Sequence, residues 1–464
     1  MIDFDIESFV RTYMTKRPES LLAEDFRRND AELHRRIDGR RVLVIGGAGS
    51  IGSHYVKAIL KFHVASLVVV DINENALTEL VRDVRSSTCY NIPDEFITYP
   101  VDFGSDVFRK LFAARGLFQI VANFAAHKHV RSEKDIYSIE AMMETNVFKA
   151  KGLLDLLLAH PPEAFFCVST DKAANPVNVM GASKKLMEET IMAYADRLPI
   201  KTARFANVAF SNGSLPLGWL ERISKHQPLS CPLGIRRFFV SPVESGELCL
   251  LASILGESGD IVYPKLNPET DMIPFDVVVK DLLQVLGLGC HPCSSSEEAK
   301  QAMVGRDHRA RREDDTLVGR DHRARREDDT LVGRDHRARR EDADPSVGRD
   351  HRARREDDDP SVGRDHRARR DYPVEFFASD TSGEKTFEEF YTDTDVKDET
   401  TFAHLGVVKN AKRRPVAEIE RIFATLHAVF DRPGATKADV VAALGDYLPN
   451  FHHVEKGKGL DGRM

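Results

Sequence analysis

The segment Arg41–Gly52, RVLVIGGAGSIG, decides the fold of this chain of 464 residues. Its apolar run Val42–Ile45 is typical of a buried parallel strand. Gly46, Gly49 and Gly52 follow, and helical spacing of apolar residues begins directly after them. A strand, a glycine-rich turn and a helix in this order predict a βα unit whose turn approaches a ligand closely.

The residues around and beyond the glycines indicate which ligand. A turn without side chains brings backbone N–H groups and a helix N-terminus close to a pyrophosphate. A second apolar run, Leu67–Val70, ends in Asp71, at about the 20-residue distance of a ribose-binding acid. Its carboxylate would repel a 2′-phosphate, so we predict NAD rather than NADP; an ordinary glycine-rich turn is the alternative. The expected cofactor contacts at the turn are Gly46, Gly49, Ser50, Ile51 and Gly52.

Composition excludes several classes of protein. The net charge of −7 comes from 66 basic and 73 acidic residues, which argues against a general nucleic-acid binder. We find no apolar run of ~20 residues and no apolar leader at the N-terminus, so we expect no membrane span and no signal peptide. Six scattered cysteines fit a reducing cytoplasm. The lone CxxC at Cys290–Cys293 has no second ligand pair, so no metal site is predicted.

Alternating strand and helix patterns follow the glycine segment. They predict a doubly wound, parallel α/β sheet. The predicted strands are 42–45, 67–70, 96–99, 119–123, 164–168 and 200–204.

The predicted organisation has four parts. Residues 1–40 form a helical arm that packs on its own domain or on a sister subunit, and a homo-oligomer is expected. Residues 41–205 form the NAD-binding domain. A smaller substrate lobe with C-terminal helices takes 206–303 and 371–464, and a charged insertion takes 304–370.

The insertion is a tandem repeat. The unit VGRDHRARREDDTL begins at Val304 and recurs, in near copies, from Val318, Val332, Val347 and Val362. Four arginines and about four acids a unit, with few apolar side chains, cannot form a packed solenoid. Near-neutral charge weakens an RNA-binding interpretation. We predict a solvated surface insertion that can be deleted without loss of the fold; a binding tail is the alternative.

Candidate chemistry lies at the carboxyl ends of the predicted strands, where open α/β sheets bind ligands. The fourth strand runs into NFAAHKHV, in which Ala125 lets the backbone pass a cofactor while His127 and Lys128 begin a loop. The fifth strand ends in Ser169–Lys172, a hydroxyl, an acid and a base in succession, for which a polar helix cap is the alternative. Asp102 follows the third strand and could reach an adenine amino group or simply stabilise a turn.

Together, GGAGSIG, NFAAHKHV, VSTDKAANPVNVMGASKK and ARFANVAFSNGS resemble the extended short-chain dehydrogenase/reductases. Within them, the chain is most similar to the CapD-like nucleotide-sugar 4,6-dehydratases of polysaccharide biosynthesis. The resemblance covers roughly residues 40 to 265, and SDTSGEKTFEEFY near the C-terminus is also similar. The repeat matches nothing in that branch.

The resemblance implies a redox-neutral loss of water from a UDP-N-acetylhexosamine, with UDP-GlcNAc the expected substrate. NAD oxidises C4, a base removes the C5 proton, the C6 hydroxyl leaves and hydride returns to C6. Carried over from the family motif, Lys172 is the C5 base and Asp171 the acid for the C6 hydroxyl. Thr170 would bond the 4-hydroxyl, and Lys184 would hold the nicotinamide ribose and lower the pKa of the base.

Met180 departs from the common family, which has a tyrosine at this position. A thioether cannot take the 4-hydroxyl proton, although the dehydratase branch also carries methionine there, so the first base is left open. Met180 and Lys184 are four residues apart and share a helix face. By resemblance, the expected polar contacts to the substrate diphosphate are Asn207, Ser211 and Ser214.

Three questions stay open at this point. Arg237, or its neighbour Arg236, could pair with a phosphate or form a structural salt bridge. A 4-epimerase or reductase of the same fold is an alternative activity, and it would need neither a C5 base nor a C6 acid. A pseudoenzyme that binds nucleotide is a third possibility, motivated by Met180 and the arginine repeats.

Overall fold

The structure is a computed structural model that describes residues 4–306, 371–378 and 388–455. The repeat units, apart from residues 304–306, and the segment SDTSGEKTF at 379–387 lie outside the described residues. Within the described part of the chain, no helix is both long enough and apolar enough to cross a membrane.

Fifteen strands occur among the described residues, and nine of them form one large sheet. In chain order they are β1 Arg41–Ile45, β2 Ser66–Asp71, β3 Glu95–Pro100, β4 Ile120–Asn123, β5 Ala164–Val168, β6 Ile200–Ala203, β7 Asn207–Val208, β8 Leu229–Leu233, β9 Arg236–Val240, β10 Asp260–Pro264, β11 Met272–Pro274, β12 Gly289–Cys293, β13 Asp371–Ala378, β14 Lys397–Asp398 and β15 Leu405–Val408.

The α-helices alternate with these strands through the first half of the chain and cluster again near its end. They are α1 Ile6–Phe9, α2 Ala23–Ile37, α3 Ser50–Ile59, α4 Glu74–Ser86, α5 Asp106–Arg115, α6 Ile136–Met143, α7 Lys149–Leu157, α8 Val179–Met192, α9 Leu215–Ser224, α10 Pro242–Leu255, α11 Phe275–Val285, α12 at 296–306, α13 Val416–Phe430 and α14 Lys437–Tyr447.

The large sheet has the order β14-β15-β10-β6-β5-β4-β1-β2-β3. Strand β1 pairs in parallel with β2 on one side and with β4 on the other, so the chain reverses its winding direction at β1. In such sheets the crevice at the carboxyl ends of the two flanking strands is where ligands bind. The order therefore places the glycine turn and the loop after β4 at one crevice.

Burial explains why these short runs form central strands. Val42 to Ile45 and Leu67 to Val70 are all buried, because helices cover both faces of the sheet. A strand buried on both faces needs continuous apolar residues rather than an alternating pattern. The predicted parallel, doubly wound fold is confirmed, and each of the six predicted strands lies within one residue of its observed bounds.

Two three-stranded sheets form a smaller lobe. One has the order β11-β9-β7 and the other β12-β13-β8. They enclose a separate apolar core that includes Trp219, Phe239 and Val374, together with Phe9 and Val10 from the N-terminal arm.

The predicted boundary at residue 205 needs a correction. Strand β10 lies within the range expected for the lobe, yet it pairs in parallel with β6 of the large sheet. Strand β15 then pairs antiparallel with β10, which gives the parallel sheet an antiparallel edge. The chain therefore leaves the large sheet for the lobe and returns to it twice.

The N-terminal arm packs on its own chain. Arg17 forms an ion pair of 2.8 Å with Glu244 at the start of α10. The buried carboxylate of Asp25, in α2, accepts hydrogen bonds of 2.6 and 2.9 Å from the backbone N–H groups of Ala403 and His404. These bonds tie the arm to the edge of the large sheet.

Candidate active site

The turn after β1 leaves no room for side chains at two of its glycines. Gly46 has φ +69°, and a Cβ there would lie 2.4 Å from the backbone N of Ala125 in the loop after β4. A Cβ on Gly52 would lie 2.3 Å from the carbonyl oxygen of Gly46. The turn is therefore compact against the neighbouring loop, and α3 begins at Ser50 with its N–H groups toward the crevice.

Asp71 lies at the end of β2, beside this turn. One carboxylate oxygen accepts a hydrogen bond of 3.0 Å from Ala48 N–H, and the other accepts one of 3.0 Å from Asn73 N–H. Each oxygen retains a lone pair. The ribose contact stays a prediction, and in the structure the side chain supports the glycine turn itself.

Asp102 is held by a cation. Its carboxylate is 2.6 Å from Lys149 Nζ and accepts 2.8 Å from Gly104 N–H. Partial burial alone would raise the pKa of Asp102, but the hydrogen bonds from Lys149 and Gly104 outweigh it and lower the pKa. Asp102 therefore has a structural role in this ion pair, and its contact with adenine stays a prediction.

The loop after β4 is fixed by a residue that the sequence analysis did not identify. The buried Asn146 side chain makes three hydrogen bonds. It accepts one of 2.8 Å from His127 N–H, and it donates one of 3.0 Å to His127 O and one of 2.9 Å to Ser183 Oγ in α8. One amide side chain thus ties the loop to α8. No motif around position 146 marks this role, because the contact depends on how α8 packs.

Three basic side chains follow in this loop. Burial lowers the pKa of His127, Lys128 and His129, and neighbouring positive charge lowers it further for the two histidines. Lys128 Nζ is 3.5 Å from Ser211 Oγ, across the crevice. Each of these groups gains from an anion, which would offset the repulsion and the lost hydration.

The opposite wall is the turn that begins α9. Asn212 N–H donates 2.8 Å to Ser50 Oγ, so this turn touches the start of α3. Ser214 caps α9 by accepting 3.4 Å from Leu217 N–H. Ser211 and Ser214 therefore lie next to the glycine turn.

The residues after β5 form a connected cluster. Thr170 Oγ1 donates 2.8 Å to Asp171 Oδ1, and Lys172 Nζ lies 3.0 and 3.2 Å from the two oxygens of Asp171. Asp171 is 7% exposed, whereas the Lys172 side chain is 36% exposed. A buried acid and an accessible base in contact can exchange protons with a bound ligand.

Helix α8 brings Met180 and Lys184 to the same crevice, as their spacing predicts. Lys184 is buried and donates 3.0 Å to Val168 O at the end of β5. Burial lowers the pKa of Lys184, against the opposing effect of Cys167 and Glu188. Met180 is buried beside it and supplies an apolar contact.

Glu133 fixes the start of α8. One oxygen of this buried carboxylate accepts 2.6 Å from Val179 N–H and 3.3 Å from Met180 N–H. The other lies 3.5 Å from Lys437 Nζ and 3.3 Å from His453 Nε2. Residues near the C-terminus therefore help to hold the helix that carries Met180.

A buried ion pair supports the same helix from behind. Glu188 accepts 2.9 and 2.8 Å from Arg204 and 2.6 Å from Ser169 Oγ. Ser169 thus supports α8, and it also lines the crevice. Removing one partner of such a pair costs roughly 3–5 kcal/mol.

These elements enclose one cleft of about 760 Å³. Its lining brings together the glycine turn, the loop after β4, the Thr170–Lys172 cluster and the start of α9. The lining residues named by the sequence analysis are Gly46, Gly49, Ser50, Ile51, Gly52, His127, Lys128, Ser169, Thr170, Asp171, Lys172, Met180, Lys184, Asn207, Ser211 and Ser214. Asp71, Asp102, Ala125 and Arg237 do not line it.

Arg237 is instead paired with a second residue that the sequence analysis missed. Glu388 Oε1 lies 3.3 Å from Arg237 Nε, and Glu388 Oε2 accepts 3.3 Å from Phe238 N–H. Asn207 Nδ2 donates to Glu388 Oε1 and, at 3.2 Å, to Phe238 O. We call Asn207, Arg237 and Glu388 the amide–acid cluster. It separates the first cleft from another of about 870 Å³, which Glu388 lines.

Two comparisons agree on the family. The model of the family described as "Polysaccharide biosynthesis protein" matches residues 42–327. The chain is 35% identical to "Uncharacterized membrane protein MJ1061" of Methanocaldococcus jannaschii, over 53% of this chain and 70% of that protein. It is 26% identical to "Capsular polysaccharide biosynthesis protein CapD" of Staphylococcus aureus, over 58% of this chain but only 45% of that longer protein.

Two further relatives carry names of activities. A "UDP-N-acetylglucosamine 4,6-dehydratase (inverting)" of Campylobacter jejuni is 26% identical over 49% of this chain and 68% of its own length. A "UDP-glucose 4-epimerase" of Rickettsia typhi is 30% identical over 53% of this chain and 71% of its own length.

Proposed function

The chain belongs to the polysaccharide biosynthesis protein family of extended short-chain dehydrogenase/reductases, and we propose that it is a NAD-dependent 4,6-dehydratase of a UDP-N-acetylhexosamine. Relatives in this family are named as nucleotide-sugar dehydratases and epimerases. UDP-GlcNAc is the substrate we propose, in agreement with the name of the Campylobacter relative.

One observation carries the proposal. The Asp171–Lys172 pair lies in the same cleft as the glycine turn, so an acid and a base face a ligand that would lie beside a dinucleotide. Oxidation and reduction at C4 alone need neither group. Removal of a C5 proton and loss of a C6 hydroxyl need both.

The residues at the turn fit NAD. The space that a Cβ on Gly46 or Gly52 would fill lets backbone N–H groups approach a pyrophosphate, and Asp71 stands beside the turn as a carboxylate for ribose hydroxyls. Lys184 lines the cleft from α8 and would bond the nicotinamide ribose. When bound, NAD supplies the hydride acceptor and donor for the redox steps.

The proton steps are assigned to the chain's own side chains. Lys172 takes the proton from C5, and Asp171 gives a proton to the departing C6 hydroxyl, which leaves as water. When hydride returns to C6, Lys172 gives a proton back to C5, and the proton that Asp171 gave away is the one that it had received from the 4-hydroxyl. Lys172 and Asp171, whose Nζ and Oδ1 lie 3.0 Å apart, therefore both return to their starting charge within one turnover.

We assign to Thr170 the transfer of the 4-hydroxyl proton, which Met180 cannot perform. Its hydroxyl donates 2.8 Å to Asp171 Oδ1 and also lines the cleft. It can pass the 4-hydroxyl proton to this carboxylate, for which the Met180 thioether has no capacity. In our proposal Met180 shapes the site and Thr170 conducts the proton.

The test is incubation of the purified chain with NAD and UDP-GlcNAc in D₂O. We expect a product lighter by one water, with deuterium at C5 and no accumulation of NADH. A product of unchanged mass without deuterium at C5 would instead identify a 4-epimerase, the second candidate, which the 30% identity to the Rickettsia relative favours. Nucleotide binding without turnover of any UDP-sugar would identify a pseudoenzyme.

A further inference from the structure

The orientation of the Asn207 amide is fixed by its partners. Nδ2 donates to Phe238 O at 3.2 Å and to Glu388 Oε1. A carbonyl oxygen can only accept a hydrogen bond, so the contact with Phe238 O alone places Nδ2, rather than Oδ1, at these partners. Both N–H bonds of the amide are therefore taken up by Phe238 and Glu388.

The group that remains for a ligand is Oδ1. Asn207 lines the first cleft, whereas Glu388 does not and lines the second one, so we infer that Oδ1 is the end of the amide that faces the first cleft. Among the described residues, no donor bonds Oδ1. Asn207 thus offers the cleft an acceptor and no donor.

We propose that Asn207 recognises a hydrogen-bond donor on the sugar, a ring hydroxyl or the N-acetyl N–H, and that Glu388 is the positioning residue that aims it. This inference rests on the proposed function and refines one expectation. A diphosphate at neutral pH carries only acceptors, so it cannot bond Oδ1. The diphosphate contact expected of Asn207 belongs to another residue.

Lys128 is the better partner for the diphosphate. It is a cation that lines the cleft, and its Nζ lies 3.5 Å from Ser211 Oγ. The cleft is thereby divided into two parts. Lys128 and Ser211 bind the anionic diphosphate, and Asn207 accepts a hydrogen bond from the sugar.

The surroundings of Glu388 make its hold on Asn207 specific. The side chain is 4% exposed, with Asp171 and Lys172 facing it from the turn after β5 and Arg237 from β9. Burial and the charge of Asp171 raise the pKa of Glu388 to about 7, against the lowering effect of Arg237, Lys172 and Asn207. Glu388 Oε1 contacts both Arg237 Nε and Asn207 Nδ2, and these two contacts hold this oxygen next to the Asn207 amide.

The experiment compares binding of UDP and of UDP-GlcNAc by calorimetry, in the presence of NAD. We expect Asn207→Ala to weaken UDP-GlcNAc binding by about tenfold, the value of one hydrogen bond with an uncharged partner, and UDP binding by less than twofold. Lys128→Met is the matched control and should weaken both ligands alike.

Glu388→Ala should reproduce the sugar-specific loss, and the double variant with Asn207→Ala should lose no more than either single variant. Glu388→Gln keeps an oxygen for the Asn207 amide and should recover most of the binding. A thermal midpoint for each variant checks folding, and Glu388→Gln carries the test if Glu388→Ala does not fold.

Equal loss of UDP and UDP-GlcNAc binding in Asn207→Ala would overturn the inference, and so would failure of the wild type to bind UDP-GlcNAc more tightly than UDP. Turnover separates this from the proposed function. If the wild type dehydrates UDP-GlcNAc but Asn207→Ala loses UDP and UDP-GlcNAc binding equally, the proposed function stands and the inference about Asn207 fails. If the binding loss is specific to the sugar but no dehydration occurs, the inference stands and the proposed function fails.

Discussion

The two halves of the cleft are built in different ways. The half that we assign to the cofactor is made by neighbours in sequence: Gly46 and Gly52 are six residues apart, and the whole turn follows one strand. The substrate half depends on the amide–acid cluster, in which Asn207 and Glu388 are 181 residues apart. A backbone cradle can be encoded by a short motif, whereas an oriented side chain needs a partner that the fold brings from elsewhere.

The largest effect should come from the base between the two halves. Lys172→Met is expected to lower kcat for dehydration by at least ~100-fold, because proton transfer by one positioned group contributes 10²–10⁴-fold. Binding of UDP-GlcNAc should change little. Lys280→Met, at an exposed i,i+4 pair with Asp276, is the control and should keep wild-type kcat. A wild-type rate in Lys172→Met would place the base elsewhere.

The cofactor half can be broken at Gly46. Gly46→Ala should weaken NAD binding by more than tenfold, since the new Cβ would lie 2.4 Å from Ala125 N and the two loops must separate. Gly287→Ala is the control, because Gly287 has φ +72° but open space around its Cβ position. It should cost only the left-handed strain, about 1–2 kcal/mol of stability, with unchanged NAD affinity. Equal NAD affinities in the two variants would show that the close contact is irrelevant.

Asp71 sharpens the picture of that half. Asp71→Asn keeps an oxygen for one backbone N–H and removes the charge, so NAD binding should weaken by a few fold while NADP binding improves. The measurement is the ratio of the two dissociation constants. A ratio that does not move would mean that Asp71 supports only the turn and does not meet the ribose.

The smallest effect concerns the substrate half and pH. The folded-state pKa of Glu388 is about 7, above the ordinary value of 4.5, so the protonated side chain is favoured in the folded protein. Its contribution to stability is fully present below pH 4.5 and is lost as pH rises through about 7. Glu388→Gln lacks this loss.

The thermal midpoint of the wild type should therefore fall relative to that of Glu388→Gln, by a few degrees, as pH rises from 5 to 8. The matched comparison is Glu389→Gln, at the next position. If both variants keep a constant offset from the wild type across this range, Glu388 does not titrate as described.

The sequence predicted what local pattern controls. Continuous apolar runs gave strands within one residue of their bounds, and the spacing of Met180 and Lys184 placed both on the cleft. The return of β15 to the edge of the large sheet was not predictable in this way, because a four-residue apolar strand can join any free edge. Asn146 and Glu388 were missed for the same reason: their roles exist only once distant elements have packed.

The contacts of Glu133 with Lys437 and His453 have a consequence for the newly made chain. Its partner His453 is 320 residues further on, which a ribosome adding ~5–20 residues per second reaches roughly 16–64 s later. The strands from β1 to β6 can pair during that interval, but Glu133 at the start of α8 lacks its contacts with Lys437 and His453. We expect a nascent chain in which the glycine turn forms early, whereas the start of α8 gains all of its contacts only after His453 has been made.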